Sequence, residues 1–554
     1  MAMATATVMA TEADCVDWRA RRLPHPLSGI LARPVAASAP ARLVWRVLTV
    51  ALGCFGLAAS AHAEWRFASS AGISETFTSD VSAGVNGNSD FVTAVNGALA
   101  ISGTGARVHL NGTIGGSAYF YANESQNNSF APSVALSGNV EAIEHFLFVD
   151  AQAYVSQTFL SPFGPQPGNA VNTTANRYTS QTYSISPYIR GAIPGTKMTY
   201  NVRDDNIWTL SNTYGNSSLA VPGTYFNQLY GSIGTPVAPW GWTAEYTRSQ
   251  YEPSQRDTVG SYTIQVARGI AIYQYDPQLQ VSARGGYEKD QFPLTGSQSV
   301  IYGVGLQWLP SDRTQATGFW EHRFFGASYS AQISHRLPRT ALAANFFRGI
   351  TSYPQNALSI PVGANVATFV DAAFATRIPD PAERALAVQQ FVAQAGLPAT
   401  LATPVNIFAT TVQLQTGGSA SAVLIGVRNS LAFNVFYTKT EAISGKGTVL
   451  PPALQFGQDT TQAGGGVSFS HRLSGMTSLT ASATYSTTRS NTTTGAFANA
   501  RSNNGYLNLG LSTQLGPRTT GSFGAGYTRY LPNGDVAFQS TSSYSISAAV
   551  NHNF

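Results

Sequence analysis

The stretch YSISAAVNHNF, Tyr544 to Phe554, ends the sequence and decides its fold. Tyr544, Ile546, Ala548, Val550, His552 and Phe554 fall on one parity, and Ser545, Ser547, Ala549, Asn551 and Asn553 on the other. Side chains of a strand alternate between its two faces, so this segment is a strand with one apolar and one polar side. The wall of a transmembrane barrel requires that pattern, because lipid lies against one face and a wet lumen against the other. Two interior stretches repeat it. Leu279, Val281, Ala283 and Tyr287 oppose Gln278, Gln280, Ser282 and Arg284, while Leu507, Leu509, Leu511 and Leu515 oppose Asn508, Ser512 and Gln514.

Reading outward from these segments by alternation and turn residues predicts twenty-two strands, with eighteen to twenty-four as the tolerated range. They fall near 66-78, 90-102, 105-121, 131-141, 145-159, 179-191, 196-204, 222-233, 239-250, 260-271, 278-287, 298-309, 313-323, 326-337, 339-350, 418-428, 430-440, 460-472, 477-489, 502-515, 518-530 and 540-554. Connections alternate between short and long, with Arg323 to Gly326 the one brief exception on the long side. Short turns at one end, long loops at the other and an even count predict a large all-β antiparallel barrel with both termini in the periplasm. Pro, Gly and Arg-Thr recur at the short turns, as in Trp308 to Thr314, Ser334 to Thr340 and Leu515 to Thr519, each marking a hairpin. Aromatics near strand ends, including Trp240, Trp242, Trp308, Trp320, Phe346 and Phe347, suit interfacial girdles or ordinary turn packing.

Composition supports a barrel over a helical membrane protein or a soluble domain. Only 11% of the 554 residues are charged, against roughly 25% in soluble domains, yet the hydrophobic fraction is an ordinary 43%. Beyond residue 63 no run approaches the ~20 apolar residues of a spanning helix. Arg42 and Arg46 precede the apolar run Val47 to Ala59, and Ala61-His62-Ala63 suits signal-peptidase cleavage before Glu64. Residues 1-63 therefore read as leader and signal peptide, and 64-554 as the barrel. Both cysteines, Cys15 and Cys54, lie in the leader, so the exported chain has no disulfide or thiolate metal site. Three of the five net positive charges also fall there, which leaves +2 for the barrel and no indication of nucleic-acid binding.

The longest departure from hairpin rhythm is the insert 351-415. Asp380 suits a helix cap, Pro381 the first helical position and Glu383 a capping box, so a helix is predicted over 381-395 with Arg384 and Phe391 on it. Ala385, Val388, Val392 and Ala395 form its apolar stripe. Such an insert either enters the lumen as a plug or lies over the mouth; the width of a barrel of this size favours the plug. Among the cations, Arg284, Arg336 and Arg472 fall on polar parity, as lumen or rim groups able to attract anionic solutes such as acidic polysaccharide. His109, His145, His322, His335, His471 and His552 are scattered, and neither HExxH, GxSxG nor a glycine-rich phosphate loop is present. The sequence therefore predicts no enzyme and no cofactor. Ser334-His335 and Ser470-His471 are adjacent in strands, so their side chains point to opposite faces and form no dyad.

Tyr544, Ile546, Val550 and the terminal Phe554 resemble the C-terminal signature of bacterial outer-membrane proteins that barrel assembly machinery reads. VDAQAYVSQTFLSPFG (149-164), SISPYIRG (184-191), LQWLPSDRT (306-314), HRFFGASYSAQISHRLPRT (322-340), DPAERALAVQQFVAQAGLP (380-398) and GVRNSLAFNVFYTK (426-439) carry a broader likeness. In these stretches the chain resembles the outer-membrane barrel proteins associated with PEP-CTERM and exopolysaccharide gene systems of Gram-negative bacteria. The resemblance implies contact with outer-membrane lipid and a role in polymer export or surface sorting; it implies no catalytic residue. Two functions follow, a porin-like channel or export component and a non-conducting docking protein. An outer-membrane enzyme is the disfavoured third. A receptor with a folded plug domain ahead of its barrel has a similar strand count, but here the strands begin almost directly after Ala63.

Overall fold

The structure is a computed structural model. It describes residues 64-82, 87-212, 223-253, 261-292, 296-358, 365-375, 377-380, 383-384, 387-388, 391-392, 401-406, 412-443, 459-492, 497-534 and 538-554. The leader reading of residues 1-63 lies outside them.

Twenty-two strands, numbered β1 to β22 in chain order, form one antiparallel sheet in which each strand pairs with its neighbours in sequence. The sheet closes where β1 (Glu64–Thr78) pairs with β22 (Thr541–Asn553), with Ile73 opposite Val550 and Phe77 opposite Ile546. Closure matters because an open edge would leave backbone N–H and C=O groups unpaired in hydrocarbon. The predicted barrel and its strand count are present.

Pleat parity separates two environments. Val300, Tyr302, Val304, Leu306 and Trp308 of β12 (Gly296–Ser311) face outward and are all exposed, as are Leu507, Leu509, Leu511 and Leu515 of β20 (Arg501–Gly516). On the inner face, β11 (Leu279–Gln291) carries Ser282, Arg284, Glu288 and Asp290, and β6 (Arg177–Ala192) carries Ser180, Thr182, Ser184 and Ser186. Tyr544, Ile546, Val550 and Phe554 lie on the outward face, each at least 45% exposed. Among the described residues no helix is long and apolar enough to cross a membrane.

Most strands differ from the predicted bounds by a residue or two, but β7 (Thr199–Asn212) does not stop near 204. Asp204-Asp205-Asn206 reads as a loop, yet the strand runs through it with its ladder to β8 (Thr224–Gly234) unbroken.

Candidate functional site: a lumen crossed by two segments

The insert after β15 (Thr340–Thr351) turns into the barrel. Its first helix, α1 (Tyr353–Leu358), stays at the long-loop end, where the buried Tyr353 hydroxyl lies 2.7 Å from that of Tyr178 and 3.1 Å from Ser180 Oγ, both on β6. The second, α2 (Val366–Phe374), is capped by Asn365, whose Oδ1 accepts from the Ala367 N–H at 2.9 Å. Its buried side, Val366, Phe369, Val370 and Ala373, packs against Ala341 of β15, Val423 and Ile425 of β16 (Gln413–Ile425) and Ala432 of β17 (Asn429–Ala442). These wall residues sit at the short-turn ends of their strands, so α2 has descended the length of the lumen. Three alanines, Ala341, Ala343 and Ala432, let the helix approach the wall closely. Arg377 reaches the turn between β14 (Gly326–Leu337) and β15, donating to Pro338 O at 3.3 Å.

The helix predicted over 381-395 is helical at the described residues Glu383, Arg384, Ala387, Val388, Phe391 and Val392; its other positions lie outside them. Asp380 caps it, with Oδ1 accepting from Glu383 N–H at 2.8 Å and its carbonyl from Arg384 N–H at 3.0 Å. Arg384 ties this helix to α2 through Asp371, Nε to Oδ1 at 2.7 Å. Phe391 meets Phe374 edge-on at 5.5 Å, and Val388 is buried in the same cluster. The chain then climbs the wall, where Val405 exchanges two hydrogen bonds with the Gln462 amide, at 3.0 and 3.1 Å, and Asn434 Nδ2 donates to Ala402 O. The described residues of the insert lie within the lumen and not over its mouth. Sequence reading found one of its helices and missed α1 and α2, although Asn365 before an apolar run is a cap signal.

A second inward segment, residues 160-176 between β5 (Leu147–Phe159) and β6, has the sequence of a plain loop. It reaches inward to the strands beside the seam. Ser502 Oγ donates to Pro162 O at 2.9 Å, Tyr530 OH to Phe163 O, and Tyr506 OH to Gln166 O. Asn172 joins the closing seam, donating to Ser543 Oγ at 3.1 Å and accepting from Thr78 Oγ1 at 3.0 Å. Asn176 holds the segment's own fold by accepting from Ser161 N–H at 2.7 Å and donating to Ser161 O and Pro165 O. Phe163 and Asn172 are each 1% exposed. The available signal was Phe163 and Val171, two apolar residues in an otherwise loop-like stretch.

A chamber of about 920 Å³ remains between the insert and the wall, lined by Tyr154, Gln332, Asn345, Phe347, Gln415 and Ser419 among others. Most charged groups in and beside it are paired with opposite charge, while Arg348 donates only to the carbonyls of Ala327 and Phe325. Glu321, on β13 (Thr314–Arg323) and 1% exposed, sits 3.1 Å from Arg284 Nη1 and 3.3 Å from Arg268 Nη1, and Arg268 also lies 4.0 Å from Glu245. The Arg284 guanidinium stacks over Phe319 at 4.5 Å. Fully buried Glu288 pairs with Arg323 at 2.7 Å. Arg284 therefore faces the lumen but is not a free cation. Arg336 donates from Nε and Nη2 to Asp312 O, at 3.1 and 2.8 Å, and so braces a short turn. Arg472 ends β18 (Thr460–Arg472) at the same rim, so the three arginines are not brought together. Ser334 and His335 diverge; His335 Nδ1 instead meets Thr314 Oγ1 at 2.8 Å. Among the described residues no group of three or more His, Cys, Asp or Glu side chains is placed to hold a metal ion.

A closed sheet with an apolar outer face flanked by aromatics and a hydrated, bridged interior is built for one setting. The chain is a closed β-barrel with the apolar outer face of a membrane-spanning wall. No protein-family model matches it, and no curated protein matches it. Among solved structures, the barrel is similar to the FrpB iron transporter from Neisseria meningitidis (F5-1 variant), at 10% identity and a TM-score of 0.44, covering 88% of this chain and 82% of that one. It is also similar to the siderophore receptor PirA from Pseudomonas aeruginosa, at 10% identity and 0.41 over 88% and 80% of the two chains. The ferric citrate transporter FecA gives 10% and 0.43 over 88% and 78%. At this identity the likeness is to the barrel alone.

Proposed function

We propose that this barrel is a porin-like channel or export component whose passage is sealed by its own 351-412 insert and opened when that insert moves. The observation that carries the reading is the seat of α2. It lies at the short-turn end against apolar side chains, and beyond them few polar ties among the described residues, such as Arg377 to Pro338, hold that part of the insert to the wall. A polar wall of Ser, Thr, Gln and Asn behind a separable apolar contact suits intermittent passage of a hydrated solute. Resemblance to the barrels of exopolysaccharide and PEP-CTERM surface-sorting systems supports a polymer or its anionic sugars as cargo. In this reading the short turns and both termini face the periplasm, after signal-peptide cleavage at Ala63, and the C-terminal strand engages the assembly machinery.

Conductance of the purified protein in a planar bilayer, compared with a chain in which residues 359-411 are replaced by a short Gly-Ser link, tests the proposal. Rare openings in the intact protein and sustained large steps in the shortened one are expected. Silence in both, with folding shown by heat-modifiable gel mobility, overturns it. The many bonds that hold residues 160-176 in the lumen favour a second reading, a non-conducting docking protein of the same system, which that silence would support.

A further inference from the structure

The outward face of β7, β8 and β9 (Trp240–Pro253) carries an acid and a base in a single row; outward charges also stand elsewhere in the band, at Glu75 of β1, Lys439 and Glu441 of β17 and Arg529 of β21 (Thr519–Asn533). Outward positions in β7 read Tyr200, Val202, Asp204, Asn206, Trp208 and Leu210, so a charged and a polar residue lie between apolar ones above and below. In β8 the corresponding row is Tyr225, Asn227, Leu229, Gly231 and Ile233, with Asn227 opposite Asn206 and Leu229 opposite Asp204. The four polar side chains are organised. Asn206 and Asn227 donate to the Asp204 carboxylate at 2.9 and 2.7 Å, Tyr225 OH donates to Asn206 Oδ1 at 2.7 Å, and the Tyr225 ring stacks on Trp208 at 5.6 Å. One strand further, Leu229 pairs with Arg248, which shares the outward parity of Trp242 and Tyr246. Arg248 is exposed and donates to the Gln250 amide oxygen at 3.0 Å; it has no carboxylate partner among the described residues.

We infer that this face is the interface of a two-fold dimer of the barrel. Two copies inserted the same way up are related by an axis parallel to the barrel axis. With that axis beside Leu229, β7 of one copy lies opposite β9 of the other. The row that holds Asp204, Leu229 and Arg248 then sets Asp204 of each copy toward Arg248 of the second copy, with the two Leu229 side chains at the centre. One row thus supplies both members of an ion pair formed twice, which makes the face self-complementary in charge. Single lipid tails offer neither group a partner.

Site-directed disulfide formation in native outer membranes tests the inference, using the full chain with Cys15 and Cys54 changed to Ser. Leu229→Cys is expected to give a covalent dimer on oxidation in at least tenfold greater fraction than Leu509→Cys, which faces lipid on β20. Asp204→Arg is expected to lower that yield at least tenfold, and adding Arg248→Asp to the same chain to restore it. Heat-modifiable gel mobility shows that each variant has folded. Equal low yields at 229 and 509 in folded protein overturn the dimer, as does a different protein captured at 229 or a monomer with lipopolysaccharide seated on this face.

Discussion

Glu321 is the residue on which the lumen's charge balance turns. Two arginines share its single buried carboxylate, so Glu321→Gln leaves Arg268 and Arg284 facing each other with only the more distant Glu245 near them. Breaking a buried pair by removing one partner costs about 3–5 kcal/mol. Urea-driven unfolding from lipid vesicles is expected to show a loss of that order. In any conducting form, the reversal potential across a KCl gradient is expected to shift toward anion preference. Arg284→Gln makes the opposite change and should shift selectivity toward cations, because Glu321 then answers to Arg268 alone. Both effects follow from partners that alternation does not reveal. Parity puts Arg284, Arg336 and Arg472 on the polar face, at lumen or rim, but the carboxylate that neutralises Arg284 lies two strands away, and the acceptor of Arg336 is the backbone carbonyl of Asp312.

At the scale of elements, α2 is the piece expected to move first. Val370 is fully buried between the helix and the wall, and Val370→Asp places a carboxylate in that contact with no partner. The substitution is expected to release the insert without opening the barrel. Limited proteolysis should then cut within 351-412 while strand content by circular dichroism stays unchanged. Asn365→Ala removes the α2 cap, at about 0.5–2 kcal/mol, and should produce a weaker version of the same phenotype. Strands were legible because each repeats one simple rule, apolar out and polar in. β7 shows where that rule fails. Asp204-Asp205-Asn206 has the composition of a turn, and reading stopped there, whereas the ladder continues because the outward polar groups satisfy one another. A lone arginine at mid-depth on the lipid face of a barrel costs about 2–4 kcal/mol, with acids costing less. Asp204 costs less than that, and its amide partners lower the cost further; local sequence does not show them. The insert was legible in part for a related reason. Asp380 and Glu383 announce a helix start locally, but the lodging of α2 depends on small residues in β15 and β17 and on Val423 and Ile425 of β16.

The whole molecule depends on the seam. β1 and β22 pair over nine residues, from Ser70–Asn553 to Thr78–Ser545, and the terminal Phe554 N–H donates to Ser69 O at 2.9 Å. Removing Phe554 deletes an outward aromatic and one seam hydrogen bond. The yield of heat-modifiable, protease-resistant barrel in the outer membrane is expected to fall several-fold, with little change in the stability of the fraction that assembles.

The segment 160-176 gives that seam a clock. Beside its nearer ties to Thr78, Val81 and Tyr121, four of its moorings join residues 340 to 371 positions apart, to Ser502, Tyr506, Tyr530 and Ser543, all in the last strands of the sequence. Until those strands arrive the segment has only its earlier partners from β1 to β3 (Val108–Tyr121) to hold, and a seam closed one register out would present the wrong parity to Asn172. Its ordering is thus a receipt for correct closure, issued inside the barrel, and protection of residues 160-176 from hydrogen exchange would date the moment at which the wall became a ring.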